Sequence, residues 1–282
     1  MIYLANALQL PYEDKPDPNH PFWDTLMALR NLTATPVTAR IRLRRDDAST
    51  VMWPTVSGSE VDHCDVVLEP GLMWAGTFIP GNGFNPSAGA DALPPQNWQG
   101  SATIECLQTT PLGHMEVSNK VLGFFLLAFN SWHNGVNASY RKDYGFPKLS
   151  ARRLWQFAYA IPYFDDSEGV TQRIWTTGIL INNQGASAGA GRLVYTIAQT
   201  YEQKGQSFTI PFRVGAYQKL RFDLYLGNPA TGIPGLKDVG YPQKLNSEGH
   251  FDVITDQDLL LQPSALIVDQ QYAFTVTEEE AA

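Results

Sequence analysis

Residues able to act on a ligand or substrate fall into three groups in this sequence. Acids follow a Pro-Tyr corner twice: Glu13, Asp14 and Asp17 after Pro11-Tyr12, and Asp165, Asp166 and Glu168 after Pro162-Tyr163. Oxygen-rich loops suit Ca²⁺, which takes about six to eight oxygen ligands. Glu13, Asp14, Asp165 and Asp166 are therefore candidate calcium ligands, with a solvated turn as the competing reading because no full ligand series is in view. As a general acid and base they lack the burial that drives two carboxyl pKa values apart.

Aromatic rings form the second group. Trp53, Trp74, Trp98, Trp132 and Tyr140 lie in or near loops, where exposed rings stack on sugars or anchor a protein interface; packing is the alternative for each. Trp23, Trp155 and Trp175 sit in strand-like runs and read as core. The third group is weaker. Gly185-Ala186-Ser187-Ala188-Gly189-Ala190-Gly191 has the look of a phosphate loop, but it joins two strand-like segments, with no helix behind it to hold a phosphate. It reads as a hairpin loop. His20, His63, His114, His133 and His250 are scattered without ligand spacing, and His63-Cys64 needs distant partners to hold zinc. No H-E-x-x-H, G-x-x-x-x-G-K-[ST] or C-x-x-C occurs, and no catalytic residue and no cofactor is expected.

The elements that must position these residues emerge when the chain is laid on itself. Ile2 to Asp14 parallels Leu154 to Asp166. Phe22-Trp23 to Asn31 parallels Ile174-Trp175 to Asn183, with Trp23 and Trp175, and Asn31 and Asn183, each 152 positions apart. The same offset carries Arg40-Ile41-Arg42-Leu43 onto Arg192-Leu193-Val194-Tyr195. An offset of 144 then aligns Val66 with Ile210, Gly71 with Gly215 and Phe78 with Phe222. Gly100 to Ile104 parallels Gly249 to Val253, and Pro111 parallels Pro263. Segments such as Phe208 to Phe212 and Leu220 to Tyr225 alternate apolar with polar residues, as half-buried strands do. Many short runs punctuated by 23 Gly and 19 Pro, with no helix-length amphipathic segment, predict an all-β protein: two tandem β-sandwich domains formed by internal duplication. The domains read as 1–120 and 151–282, the latter ending in an acidic tail. Residues 121–150, with the apolar run Val121 to Phe129, read as an insert and connector without counterpart, buried between the domains or against another subunit.

Composition excludes several classes. The chain of 282 residues is 44% hydrophobic and 17% charged, which is globular rather than disordered. Its charge of -8 leaves Arg40, Arg42, Arg44 and Arg45 as the only dense basic cluster, so nucleic acid is not an expected partner. No apolar run reaches the ~20 residues of a membrane span, and the start Met1-Ile2-Tyr3-Leu4-Ala5-Asn6 lacks the pattern of a secretory signal. The expectation is a cytoplasmic chain without membrane insertion, or part of an exported or particle assembly. Cys64 and Cys106 are too few for a disulfide framework and read as buried thiols, a single bridge between them remaining open.

Trp155-Gln156-Phe157-Ala158 before Pro162, the Ile179-Leu180-Ile181-Asn182 strand, the Phe208 to Phe222 strand pair and Phe251-Asp252-Val253-Ile254 resemble the small soluble transducer family associated with microbial sensory rhodopsins. The resemblance covers most of 154–270 and, more weakly, 2–118. It implies a β-sandwich that acts by binding, often as an oligomer, without enzymatic activity. Three functions are therefore expected in order: a non-catalytic protein-binding or assembly module, partnered by another protein or by itself; a carbohydrate-binding protein using loop aromatics on a glycan; and a hydrolase with an unfamiliar site.

Overall fold

In β3 (Val37–Arg45) the alternation of the sequence becomes geometry: Ala39, Ile41 and Leu43 are fully buried while Arg40, Arg42 and Arg44 face outward, because successive side chains of a strand point to opposite faces. A computed structural model describes residues 2–9, 23–79, 83–84, 86–110, 113–116, 122–132, 135–142, 150–169, 174–268 and 273–276. The chain divides into two compact units, Met1–Lys148 and Leu149–Ala282. Both are built from strands, with two short 3-10 turns among the described residues, Pro86–Ala88 and Leu236–Asp238. No helix among those residues is long and apolar enough to cross a membrane.

The first unit contains β1 (Ile2–Gln9), β2 (Trp23–Asn31), β3, β4 (Thr50–Val51), β5 (Trp53–Pro54), β6 (Glu60–Val61), β7 (Cys64–Leu68), β8 (Met73–Thr77), β9 (Trp98–Thr110), β10 (Gly113–Glu116), β11 (Leu122–Trp132) and β12 (Gly135–Lys142). One sheet runs β7-β3-β9-β1, with β4 and β10 as short additions, and a second runs β12-β11-β2-β8. The named pairs are antiparallel. Both sheets feed one buried cluster, which takes Met27, Leu29 and Trp74 from the second sheet and Ala39, Ile41, Leu43, Val66 and Ile104 from the first.

The second unit contains β13 (Arg152–Asp165), β14 (Ile174–Asn183), β15 (Gly189–Ile197), β16 (Ser207–Val214), β17 (Lys219–Asp223), β18 (Gly227–Asn228), β19 (Ile233–Pro234), β20 (Ser247–Leu259), β21 (Leu261–Val268) and β22 (Ala273–Val276). Its strands run β16-β15-β20-β13 on one side and β22-β21-β14-β17 on the other. The two runs are joined where Phe164 at the end of β13 pairs with Trp175 on β14. One core again takes residues from both, among them Trp155, Leu193, Tyr195, Phe212 and Val253 with Ile179, Ile181 and Phe222.

Taken in chain order, the strand positions of the two units coincide. In that order β11 and β12 stand where β21 and β22 stand, so the segment expected to be an insert without counterpart supplies two sheet strands of the first unit. The continuous apolar run has no period, and a run without period does not announce a strand. Two registers also differ from the sequence alignment. Ile104 lies opposite Ile41 and Ile2, while Val253 lies opposite Leu193 and Trp155; Ile2 thus corresponds to Trp155, one residue beyond Leu154. In the turns before β8 and β17 the left-handed residues are Gly71 (φ 72) and Tyr217 (φ 56). Gly71 therefore corresponds to Tyr217, not Gly215; a glycine chosen as anchor misleads when another residue carries the positive φ.

Candidate functional site

Where β2 ends, Asn31 turns the chain and ties two connections together. Its Nδ2 donates to the carbonyls of Thr35 (2.8 Å) and Leu68 (2.9 Å), and its Oδ1 accepts the N–H of Thr33 (2.9 Å). At the end of β14, Asn183 donates to Ser187 (2.8 Å) and Gly215 (2.8 Å) and accepts from Gly185 (3.0 Å). The backbone N–H of Asn31 bonds the carbonyl of Leu72, and that of Asn183 bonds the carbonyl of Gln218, at 3.0 and 2.9 Å. The following turns close alike, Leu72 N–H to Glu69 and Gln218 N–H to Gly215.

On this shared scaffold the two units present different chemistry. The first exposes Leu32 (54%), Leu72 (61%) and Met73 (66%), just after β2, just before β8 and at the first position of β8. Isolated exposed apolar residues are ordinary; three together at one loop tip form a patch. The corresponding residues of the second unit are Gln184, Gln218 and Lys219, and there Gln184 and Lys219 are buried. Sequence reading missed the tip. Its signal is a set of apolar residues in turn positions, visible only once Gly71 is aligned with Tyr217.

The outward face of β3 carries a charged network. Arg40 grips Asp65 with two bonds, Nε to Oδ1 at 2.8 Å and Nη2 to Oδ2 at 2.7 Å. Arg42 pairs with Glu105 at 2.7 Å and approaches Asp62 at 3.7 Å. His63 Nδ1 lies 2.6 Å from Asp62 and its Nε2 3.9 Å from Asp65, and the hydrogen bond from His63 holds the Asp62 carboxyl below its ordinary range. Arg40 and Arg42 are thus neutralised within the unit, which leaves little of the basic cluster to attract phosphate.

At the opposite end of β2, Asp24 is fully buried. Its Oδ1 accepts the N–H groups of Thr25 (2.7 Å) and Phe78 (3.1 Å), while Oδ2 finds no partner among the described residues. Burial pushes its carboxyl up to about 7, against the pull of those hydrogen bonds. In the second unit the acid hangs from the other strand. Asp223 on β17 accepts the N–H groups of Tyr225 and Leu226 on Oδ1 and the Thr176 hydroxyl on Oδ2 at 2.7 Å, and burial raises it as well.

The expected site residues are not gathered. Trp53, Trp74 and Trp98 are buried at 0%, 6% and 1% exposure and pack with Phe78 and Phe84, ring centroids 4.9 to 5.9 Å apart. They are core, not a sugar platform: Trp53 opens β5, Trp74 lies on β8 and Trp98 opens β9, and all three belong to the buried cluster of the unit. Trp132 and Tyr140 lie on β11 and β12, placed by backbone register. Glu13 and Asp14 lie outside the described residues. Asp165 closes a local turn, accepting the backbone N–H and hydroxyl of Ser167 on Oδ1 and the hydroxyl of Tyr163 on Oδ2. These bonds to Ser167 lower its pKa. Among the described residues no group of three His, Cys, Asp or Glu gathers as a metal site. Cys64 and Cys106 are buried and are not joined in a disulfide.

Comparison with known proteins finds no family model, no curated protein and no solved structure that matches the chain.

Proposed function

We propose that the chain is a duplicated β-sandwich that works by binding protein, through self-association or entry into a larger assembly, and carries out no chemistry of its own. The observation behind the binding role is the asymmetry of the tip: one backbone scaffold, clasped by Asn31 or Asn183, offers Leu32, Leu72 and Met73 in the first unit and polar residues in the second. Duplication is supported by the common strand order. It is supported further by two glycines, Gly100 and Gly249, at which a Cβ would collide with the carbonyls of Arg44 and Thr196, themselves 152 positions apart. A β-sandwich acting by binding is also what the resemblance to the soluble transducers implies. Burial of Trp53, Trp74 and Trp98 takes three rings away from the glycan alternative.

The test converts the tip to its second-unit chemistry with Leu32→Gln, Leu72→Gln and Met73→Lys together, at positions exposed enough for the fold to tolerate. Sedimentation velocity across a range of concentrations is expected to show wild-type self-association that the triple variant loses. A wild type monomeric throughout, or a variant that associates equally well, removes the tip from the proposal.

A further inference from the structure

The two units treat the outer edge of one sheet differently. In the first unit the groups of β7 that face away from β3 are occupied: Val67 N–H donates to Gly89 C=O at 2.9 Å, and Asp91 N–H donates to Asp65 C=O at 3.0 Å. The chain segment 89–91 thus lies along β7 as an added strand, and Asp91 Oδ1 also takes the Asp65 N–H at 2.7 Å. Gly89 is held there at φ +85, where a Cβ would stand 2.9 Å from the Val67 carbonyl.

On β16 the corresponding residues are Pro211 and Arg213. Ile197 exchanges backbone bonds with Gln206 and Gly205, so the alternating ladder bonds between β15 and β16 fall on Phe208, Ile210 and Phe212, leaving Thr209, Pro211 and Arg213 facing out. No hydrogen bond to these outward backbone groups is found among the described residues. Proline removes the N–H that Asp91 serves in the first unit, yet the two groups that bind the added strand there, a C=O at the first position and an N–H at the second, both persist as Pro211 C=O and Arg213 N–H. Beside this edge is a cleft of about 530 Å³, lined by Pro211, Arg213, Phe212, Leu220, Ile233 and Asp256 among others, within the size range of ligand sites.

We propose that this cleft is a strand-addition site, in which an extended peptide segment of a partner protein, carrying a small residue and an acidic one, lies along β16 as residues 89–91 lie along β7. Main-chain bonds to Arg213 and Pro211 supply the pairing. The acid is specified by charge: Arg213 and the neighbouring Arg192, cross-strand from Pro211, stand in no ion pair among the described residues, while the acid of the cleft, Asp256, belongs to β20, two strands from the edge.

The probe is a terminally blocked peptide of the chain's own residues 86–93, the segment that fills the equivalent place, titrated into the ¹⁵N-labelled full chain. The expected result is a shift of the Arg213 amide with slowed hydrogen exchange, weakened several-fold by asparagine in place of the peptide's aspartate or by Arg213→Gln, and lost in Arg213→Pro. An Arg213 amide unmoved at millimolar peptide overturns the proposal, as does equal binding to Arg213→Pro. Protection of that amide by self-association without peptide overturns it too, by making the occupant a second copy. The site is independent of the tip: the triple tip variant should bind the peptide as wild type does, so failure here and failure of the tip are read separately.

Discussion

Replacing Asp24 with asparagine should make the fold more stable at alkaline pH and less stable at acid pH. The carboxyl, ordinarily at 3.8, stands at about 7 in the folded chain because burial penalises its charge more than the N–H groups of Thr25 and Phe78 relieve it. Below pH ~4 both folded and unfolded chains hold the proton, and the group contributes nothing to pH dependence. Between the two values the unfolded chain releases the proton while the folded chain keeps it, so stability falls as pH rises. Above about 7 the loss is complete. At about 1.4 kcal/mol per pH unit the gap corresponds to about 4 kcal/mol. Asparagine keeps an oxygen to accept the two N–H groups and never ionises, but its amide nitrogen meets the unpartnered position of Oδ2, at a cost of about 1 to 3 kcal/mol. The expected net gain at pH ~8.5 is therefore about 1 to 3 kcal/mol. The assay is urea unfolding of wild type and variant between about pH 4.5 and 8.5; every other titrating group cancels in the difference between the two proteins. Two parallel stability curves would falsify the assignment of the raised carboxyl to Asp24.

The clasps make a second prediction. Asn31→Ala and Asn183→Ala each remove two hydrogen bonds to carbonyls and one from an N–H, so each should cost about 2 to 4 kcal/mol, seen as a lower melting temperature; a loss at one position only would mean that the two clasps are not equivalent. Gly249→Ala and Gly100→Ala force a Cβ into the Thr196 and Arg44 carbonyls and should each destabilise by about 2 kcal/mol or more, with denaturant midpoints that stay at the wild-type value counting against that close approach.

Several of these features were legible in the sequence because the residue type is dictated by backbone geometry. Asn31 and Asn183 recur because an amide side chain both donates and accepts across a turn. Gly100 and Gly249 recur because nothing larger fits beside the facing carbonyl. The registers of β2 with β14, β3 with β15 and β9 with β20 followed from them. The pairing of β7 with β16 and of β8 with β17 slipped because Gly71 and Tyr217 meet the same positive φ with different residues. Residues 121–150 were read as an insert because an apolar run without period names no face. The tryptophans were misplaced for a different reason: Trp53 occupies a strand of only two residues, too short for alternation to tell its buried side from its exposed one. The tip and the β16 edge were invisible because each is a contrast between the units, and a contrast can be drawn only once the register is right.

The acid and threonine at the opposite end show what a unit of this fold must retain. Thr77 on β8 faces Asp24 on β2 across one strand pair, and Asp223 on β17 faces Thr176 on β14 across the corresponding pair. The two residue types have exchanged strands, and in both arrangements the carboxylate receives backbone N–H groups of the chain just beyond β8 or β17, those of Phe78 or of Tyr225 and Leu226. That chain leaves its sheet at a buried end, where an N–H without an acceptor costs about 1 to 3 kcal/mol. The requirement is thus an acceptor at that place, and either strand can supply it. Asp24→Thr alone removes the acceptor, and Thr77→Asp alone sets two buried carboxylates side by side, so each should lose stability. The double variant rebuilds in the first unit the arrangement of the second and should recover most of the loss, giving a favourable coupling in a double-mutant cycle. Losses that simply add would mean that the two ends resemble each other by coincidence.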